Sequence, residues 1–197
     1  MFFSRWSDFY IGDVREYLGI FKIYSQIINF DGMKVAVVYD TIYGNTQKIA
    51  EAIIEGLGSG HQSELVRAEE ANINTVENID VLIVGSPTHG GWYSESLKQF
   101  FDLLAEESLQ GVKVCSFDTS IPTKNQGFVV NRLTRLFGRA APRISRELKK
   151  KGATIVDSKT FIVFGRKGPL KEGETEHAQE WAAAIMSKIS GEDLRKH

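Results

Sequence analysis

Hydrophobic positions from residue 34 onward switch repeatedly between two spacings. Short apolar runs rich in β-branched residues predict buried strands, and apolar residues three and four apart predict amphipathic helices. The predicted strands are 34–39, 63–67, 81–85, 112–117 and a broken fifth strand at 154–156 and 160–164. The predicted helices are 46–57, 94–104, 139–151 and 174–189. Such alternation predicts an α/β fold, a doubly wound parallel sheet with helices on both faces.

Parallel strands bring their carboxyl ends to one edge of a sheet, and ligands bind at that edge near the switch in strand order. Three loops end there, at 40–46, 86–93 and 118–137. These loops are the predicted functional segments.

Residues 1–32 differ from the rest and are predicted as an aromatic N-terminal extension, followed by one domain over 33–197. They hold nine of the 21 aromatic residues, several at helical spacing. Three interpretations stay open. In the first, the segment is an added helix that packs on the domain or on a second subunit, which would make a homo-oligomer. In the second, it is a membrane-surface helix, although it has few cations. In the third, the chain naturally starts at Met33.

Composition excludes several classes of protein. The single cysteine, Cys115, excludes a disulfide framework and a multi-cysteine metal site, and no metal site is predicted. With 24 Lys and Arg against 25 Asp and Glu, a general nucleic-acid binder is disfavoured. No apolar stretch is long enough to cross a bilayer, and the pattern of the N-terminus is not typical of a secretory signal. These features predict a soluble, cytoplasmic protein.

The first loop favours an anion. It supplies hydroxyl donors, a glycine that permits close backbone approach, and an asparagine that we expect to cap the following helix. Its residues are Thr41, Ile42, Tyr43, Gly44, Asn45 and Thr46. A helix N-terminus attracts anions, and without Lys or Arg in this hexad a phosphate would be held by neutral donors. The alternative is an ordinary helix cap. The run from Gly56 to Gly60 lies at the end of a predicted helix that Gly58 and Gly60 terminate, and it lacks the spacing of a dinucleotide-binding motif.

The stretch Val37–Asp40 followed by TIYGNT resembles the phosphate loop of the flavodoxin family, with Tyr43 where short flavodoxins usually carry Thr. The stretch GSPTHGGWY, followed by LKQFF, is similar to the family's second flavin loop and its helix. The resemblance covers about Met33 to Ile189. It implies a five-stranded sheet of order 2-1-3-4-5 and a bound FMN; no segment offers an adenosine fingerprint for FAD.

The resemblance extends to the second and third loops. The second-loop candidates are Ser86, Pro87, Thr88, His89, Gly90, Gly91, Trp92 and Tyr93. The rings of Trp92 and Tyr93 would flank the flavin, with core packing as their alternative. One of the two glycines would sit in the peptide that turns over near flavin N5. In the third loop, Asp118 and Thr119 are the candidates for the pyrimidine edge. No catalytic residue is predicted.

The predicted function is low-potential electron transfer between redox partners. The alternatives are an FMN-dependent oxidoreductase of NAD(P)H:quinone or protoporphyrinogen-oxidising type, with a small quinone-like substrate, and a flavin-free interaction module. Residues 1–32 hold three basic and four acidic residues, which leaves 21 of each sign in 33–197. Flavodoxins are typically strongly acidic, so this balance points to a different partner surface or to an enzyme.

Overall fold

The computed structural model describes residues 32–122 and 138–193. The predicted N-terminal extension lies outside these ranges apart from Gly32, as does most of the predicted third loop. The division at residue 33 therefore stays a prediction.

Five strands and four α-helices alternate along the described chain, as the hydrophobic pattern predicts. The strands are β1 (Lys34–Tyr39), β2 (Gln62–Arg67), β3 (Val81–Pro87), β4 (Lys113–Ser120) and β5 (Thr154–Ile162). The helices are α1 (Asn45–Leu57), α2 (Glu95–Leu103), α3 (Ala140–Lys150) and α4 (Glu174–Asp193), with a 3-10 turn at Ile73–Val76.

All strand pairs are parallel, and the sheet order is β2-β1-β3-β4-β5. The doubly wound fold and the order 2-1-3-4-5 are thereby confirmed. The order reverses at β1, whose two neighbours are β2 and β3. The loops after β1 and β3 therefore flank the switch point, where ligands bind in sheets of this type.

Two hydrophobic layers cover the sheet. One layer joins α1 and α4 to one face through side chains such as Ile49, Ile53 and Trp181, and the other joins α2 and α3 to the opposite face through Phe100 and Ile144. Within the first layer lies the mid-strand Cys115, and burial raises the pKa of its thiol to about 12. A buried thiol with a raised pKa packs in the core and does not act as a nucleophile.

The fifth strand corrects the prediction, because it is one continuous element rather than two pieces. Asp157, Ser158 and Lys159 pair in register with Cys115, Ser116 and Phe117, and Val156 is passed over at a bulge. This strand lies at the sheet edge and its middle is exposed. The pattern of apolar residues indicates which side chains are buried and does not indicate which backbone segments pair. The exposed polar stretch 157–159 therefore predicts a break in a strand that is continuous.

The fourth strand is also longer than predicted. It continues through Asp118 and Thr119, which pair with Ser86 and Pro87 of β3 and so belong to the sheet rather than to the third loop. Likewise, β3 includes Ser86 and Pro87, which were assigned to the second loop. Both candidate pairs are therefore held by sheet hydrogen bonds.

The glycines at the end of α1 have two different roles. Gly58 follows the helix with φ of 75°, as predicted for a helix-terminating glycine. Gly56 is inside the helix, where a Cβ would lie 2.3 Å from the backbone oxygen of Gln179 in α4. Gly56 lies inside the helix, as the predicted range 46–57 implies, and its missing side chain lets α1 and α4 approach closely. Among the described residues, no helix is both long and apolar enough to span a membrane.

Candidate functional site

A cleft opens at the carboxyl ends of the strands, with about 470 Å³ of space including its open mouth. Four chain segments line it: the loop after β1, the end of β3, the end of β4 and the loop after β5. The lining residues are Thr41, Ile42, Tyr43, Asn45, Thr46, Pro87, Thr88, His89, Thr119, Ser120, Ile121, Val163, Gly165 and Arg166. Five of the six residues of the first loop are among them, and Gly44 is not.

The first loop is held by its own polar groups. The Asp40 carboxylate accepts the N–H of Thr41 at 2.7 Å, and the Thr41 hydroxyl accepts the N–H of Gly44 at 2.9 Å. Gly44 has a left-handed conformation with φ of 80° and is the N-cap of α1, so the prediction that Asn45 caps this helix is wrong. A glycine cap offers no side-chain acceptor, and no described side chain accepts a hydrogen bond from the N–H groups of residues 45–47. The helix therefore starts with donors left for another acceptor.

Two buried polar residues, Asn45 and Thr46, begin α1 directly after this cap. The Thr46 side chain is 1% exposed, and its hydroxyl is 2.9 Å from the hydroxyl of Thr119 at the end of β4. Asn45 is 8% exposed, and no hydrogen bond joins its side chain to another described residue. Asn45 lines the cleft, so its amide is available to a ligand there.

The second loop is a tight hairpin. His89 and Trp92 exchange both backbone hydrogen bonds, at 3.0 and 2.9 Å, around a two-residue turn. Gly90 and Gly91 occupy that turn with φ of 55° and 85°. Positive φ at both central residues is the requirement of a type I′ turn, which glycine meets without strain. The two glycines therefore shape the hairpin and stay outside the cleft lining.

The two aromatic candidates of this loop, Trp92 and Tyr93, lie in different environments. Trp92 is 54% exposed, and the Arg143 guanidinium lies 3.9 Å from its ring centroid. Tyr93 packs edge-on against Phe101 of α2, at 5.3 Å between ring centroids, and burial raises the pKa of its phenol. The Trp92 ring is thus on the surface beside the cleft, whereas Tyr93 packs on the core.

Ser86 and Asp118 lie behind the cleft and serve the protein's own backbone. The Ser86 hydroxyl accepts the N–H of Ser94 at the N-cap of α2. Asp118 is fully buried, and its Oδ2 accepts the N–H of Ala141 at 3.0 Å, in the first turn of α3. The adjacent Ala140 N–H donates to the hydroxyl of Thr88. Neither Ser86 nor Asp118 lines the cleft, whereas Thr88 and Thr119 do.

Burial raises the pKa of the Asp118 carboxyl. The Ala141 N–H and the hydroxyls of Thr160 and Thr88 oppose that shift. Even so, Oδ1 has no hydrogen-bond partner of good geometry among the described residues. The desolvation of the carboxylate therefore outweighs the donors around it.

Sequence reasoning missed the contribution of the loop after β5. It brings Val163, Gly165 and Arg166 to the cleft, while Ser120 and Ile121 follow from β4. The prediction of neutral donors covered only the 41–46 hexad, whereas the complete lining includes a guanidinium. A signal was present in the GRKGP stretch at 165–169, a turn sequence with two cations directly after the fifth strand.

Residues 37–183 match the family model described as Flavodoxin. A flavodoxin of Aquifex aeolicus is 40% identical over 92 residues, which cover 44% of this chain and 50% of that protein. This chain therefore spans about half the length of that relative. A flavodoxin of Clostridium saccharobutylicum is 23% identical over 164 residues, covering 80% of this chain and 98% of that protein.

Solved structures show the same architecture. A flavodoxin from the domain Archaea superposes with a TM-score of 0.63 at 20% identity, covering 80% of this chain and 99% of that one. At this identity the likeness speaks for the fold alone. It agrees with the fold described above.

Proposed function

This chain belongs to the flavodoxin family, whose members carry a flavin, and from that premise we propose that it binds FMN in the cleft and carries electrons at low potential between redox partner proteins. The observation that carries the proposal is the first loop: an uncapped helix N-terminus with buried Thr46 and Asn45 beside it. A phosphate monoester is the group that such donors fit.

The donor set fits the phosphate end of FMN. Thr46 is buried and its hydroxyl can donate toward the cleft while accepting from Thr119, because a hydroxyl both donates and accepts. The Asn45 amide supplies two further donors. The backbone N–H groups of the first turn of α1 complete the set, and the helix dipole favours an anion over a neutral group there.

The ring end of FMN fits the apolar mouth of the cleft. Ile42 and Tyr43 are 54% and 47% exposed and line it, and the exposed Trp92 pairs through its backbone with His89, which also lines it. Large apolar side chains at a surface mark a binding site when they are clustered. Bound FMN supplies one- and two-electron chemistry at its ring system. Apolar surroundings disfavour a gain of negative charge there, which supports a low potential.

The lining also favours a carrier over an enzyme that works by acid–base or nucleophilic catalysis. Among the described lining residues there is no carboxylate, thiol or lysine, and the titratable groups are Tyr43, His89 and Arg166. Electron transfer needs no proton donor or nucleophile from the protein. The chain's task is then to hold the cofactor and leave one edge accessible to a partner.

Titration of the apo-protein with FMN tests the proposal, with quenching of flavin fluorescence as the measurement. We expect saturable quenching at micromolar FMN, and its absence contradicts flavin binding. The Thr46→Val variant removes a donor to the phosphate, so FMN affinity should fall roughly tenfold to hundredfold while riboflavin affinity is retained. Thr46→Ser keeps the hydroxyl and is the matched control. Equal losses for both ligands would refute a phosphate role for Thr46.

A second measurement separates the carrier from the oxidoreductase. NAD(P)H and a quinone are added to the FMN-loaded protein without any other protein. The carrier assignment predicts slow reduction that a separate flavin-reducing protein accelerates. Rapid steady-state turnover by the protein alone would replace the carrier assignment with the enzyme.

A further inference from the structure

We propose that the loop after β5, residues 163–170, is a second element of the phosphate site, and that Arg166 supplies a cation for the phosphate dianion. This inference rests on the proposed function and extends it. It assigns a charged partner to a phosphate that the hexad 41–46 would hold with neutral donors alone.

The loop is an ordered hairpin. Val163 and Leu170 form an antiparallel bridge, and the N–H of Phe164 donates to the oxygen of Pro169 at 2.8 Å. The N–H of Gly168 donates to the oxygen of Gly165 at 3.3 Å, which closes the turn that contains Arg166. Lys171 continues the pairing with a bond from its N–H to the oxygen of Ile162. The position of the Arg166 backbone is therefore fixed by main-chain bonds.

The hairpin packs directly on the first loop. A Cβ at Gly168 would lie 2.8 Å from the side-chain oxygen of Asn45 and 3.0 Å from its nitrogen. Gly168 has φ of 103°, a conformation that favours glycine, and any side chain there would displace the Asn45 amide. Because Asn45 is the first residue of α1, this contact places the hairpin against the N-terminus whose donors are uncapped.

The charges around Arg166 leave it available to an anion. It is exposed and lines the cleft, and no ion pair joins it to a described residue. Of the acidic residues that follow the hairpin, Glu172 is exposed and forms no ion pair with a described residue, and Glu174 is buried and accepts the N–H of Ile162. Lys171 and His177 lie 3.9 Å from that carboxylate. Glu174 is thus engaged at the base of the hairpin.

A guanidinium beside a helix N-terminus has a specific chemical consequence. Arginine pairs with phosphate oxygens through charged hydrogen bonds, which are stronger than neutral ones, and the attraction scales with the charge of the phosphate. The site should therefore prefer a phosphate ester to the corresponding alcohol more strongly than neutral donors would. Part of that preference should weaken as salt is raised, because Arg166 is exposed.

The test compares Arg166→Gln, Arg166→Lys and Lys167→Gln, with FMN and riboflavin as the two probes. Lys167 is exposed on the same hairpin and does not line the cleft, so its variant is the control for a general change of charge. We expect Arg166→Gln to weaken FMN about tenfold with riboflavin unchanged. Arg166→Lys should recover part of the loss and Lys167→Gln should show none. The wild-type affinity for FMN should also fall more steeply with salt than that of Arg166→Gln.

Each outcome is decisive. Unchanged FMN affinity in Arg166→Gln, equal losses for FMN and riboflavin, or an equal loss in Lys167→Gln would overturn the role of Arg166 while leaving FMN binding intact. If the wild-type protein binds neither probe, the proposed function itself fails, and this inference with it. Thermal unfolding of each apo-variant checks that the substitution has left the fold of the domain intact, which keeps the comparison valid.

Discussion

Two helices begin at the same edge of the sheet and treat their N-termini in opposite ways. In α1 the cap is Gly44, and no side chain of a described residue accepts a hydrogen bond from the first turn, residues 45–47. In α3 the first N–H groups are taken up by the protein, since Ala141 donates to the Asp118 carboxyl and Ala140 to the Thr88 hydroxyl. Both helices have the same dipole and the same kind of free donors at the start.

The difference teaches when a helix N-terminus becomes a ligand site. Asp118 is an internal anion that already occupies the end of α3, and its burial costs enough to raise its pKa. At α1 the corresponding place opens to the cleft, whose lining includes hydroxyl and amide side chains and Arg166. A helix N-terminus becomes a ligand site when the fold leaves its N–H donors without internal acceptors. The sequence of the helix alone does not determine this.

The largest expected effect comes from giving α1 an internal anion like that of α3. Gly44→Asp places a carboxylate at the N-cap, where a Cβ meets no atom within 4 Å. Repulsion between this carboxylate and the phosphate should weaken FMN binding by about a hundredfold, with a much smaller effect on riboflavin. Fluorescence titration with both ligands measures it.

The matched control is Gly44→Asn, which has the same left-handed backbone cost and no charge. If aspartate and asparagine weaken FMN equally, the loss comes from backbone strain, and the argument from an open N-terminus fails.

The next largest effect is expected from removing the side-chain acceptor at the N-terminus of α3. Asp118→Ala leaves the N–H of Ala141 buried without an acceptor, which should lower the free energy of unfolding by about 1–3 kcal/mol. Asp118→Asn keeps an acceptor oxygen and should lose little. Chemical denaturation of the apo-protein measures both. A stable alanine variant would mean that Asp118 is not needed at the end of α3.

The pH dependence of the same pair gives the sign of the Asp118 shift. Because the pKa of Asp118 is raised in the folded state, that state holds the proton more tightly than the unfolded chain. The resulting stability is fully present below the ordinary aspartate pKa and is lost as pH rises through the raised value. Wild type should therefore lose stability relative to Asp118→Asn over that window. A relative gain with rising pH would show that the pKa is lowered instead.

The smallest effect concerns the exposed ring beside the cleft. Trp92→Ala removes an aromatic face that we expect to contact the flavin ring and not the phosphate. FMN and riboflavin should weaken by the same factor, a few-fold to tenfold, and the reduction potential should shift. Trp92→Phe keeps a ring and is the control. If the alanine variant changes neither affinity nor potential, Trp92 does not contact the flavin.

Much of this protein could be predicted from local sequence. The apolar runs and helical spacings predict the elements to within a few residues, because the two layers of the core impose both periods. The stretch 41–46 and its place after β1 identify the first loop, since strand–loop–helix segments are local. The errors fall where local signals are weak: the exposed edge strand β5, and the end of β4, where Asp118 is polar yet buried in the sheet.

What the chain order could not decide is which distant groups meet. The Thr46 and Thr119 hydroxyls, 73 residues apart, are brought to 2.9 Å by the parallel register of the sheet. Gly168 is brought against Asn45 by the turn after β5, and that contact brings Arg166 to the cleft. The role of Asp118 likewise depends on the position of α3, and the role of Gly56 depends on the position of α4. Periodicity is set by neighbours along the chain, whereas hydrogen-bond partners and close contacts are set by the packing of whole elements.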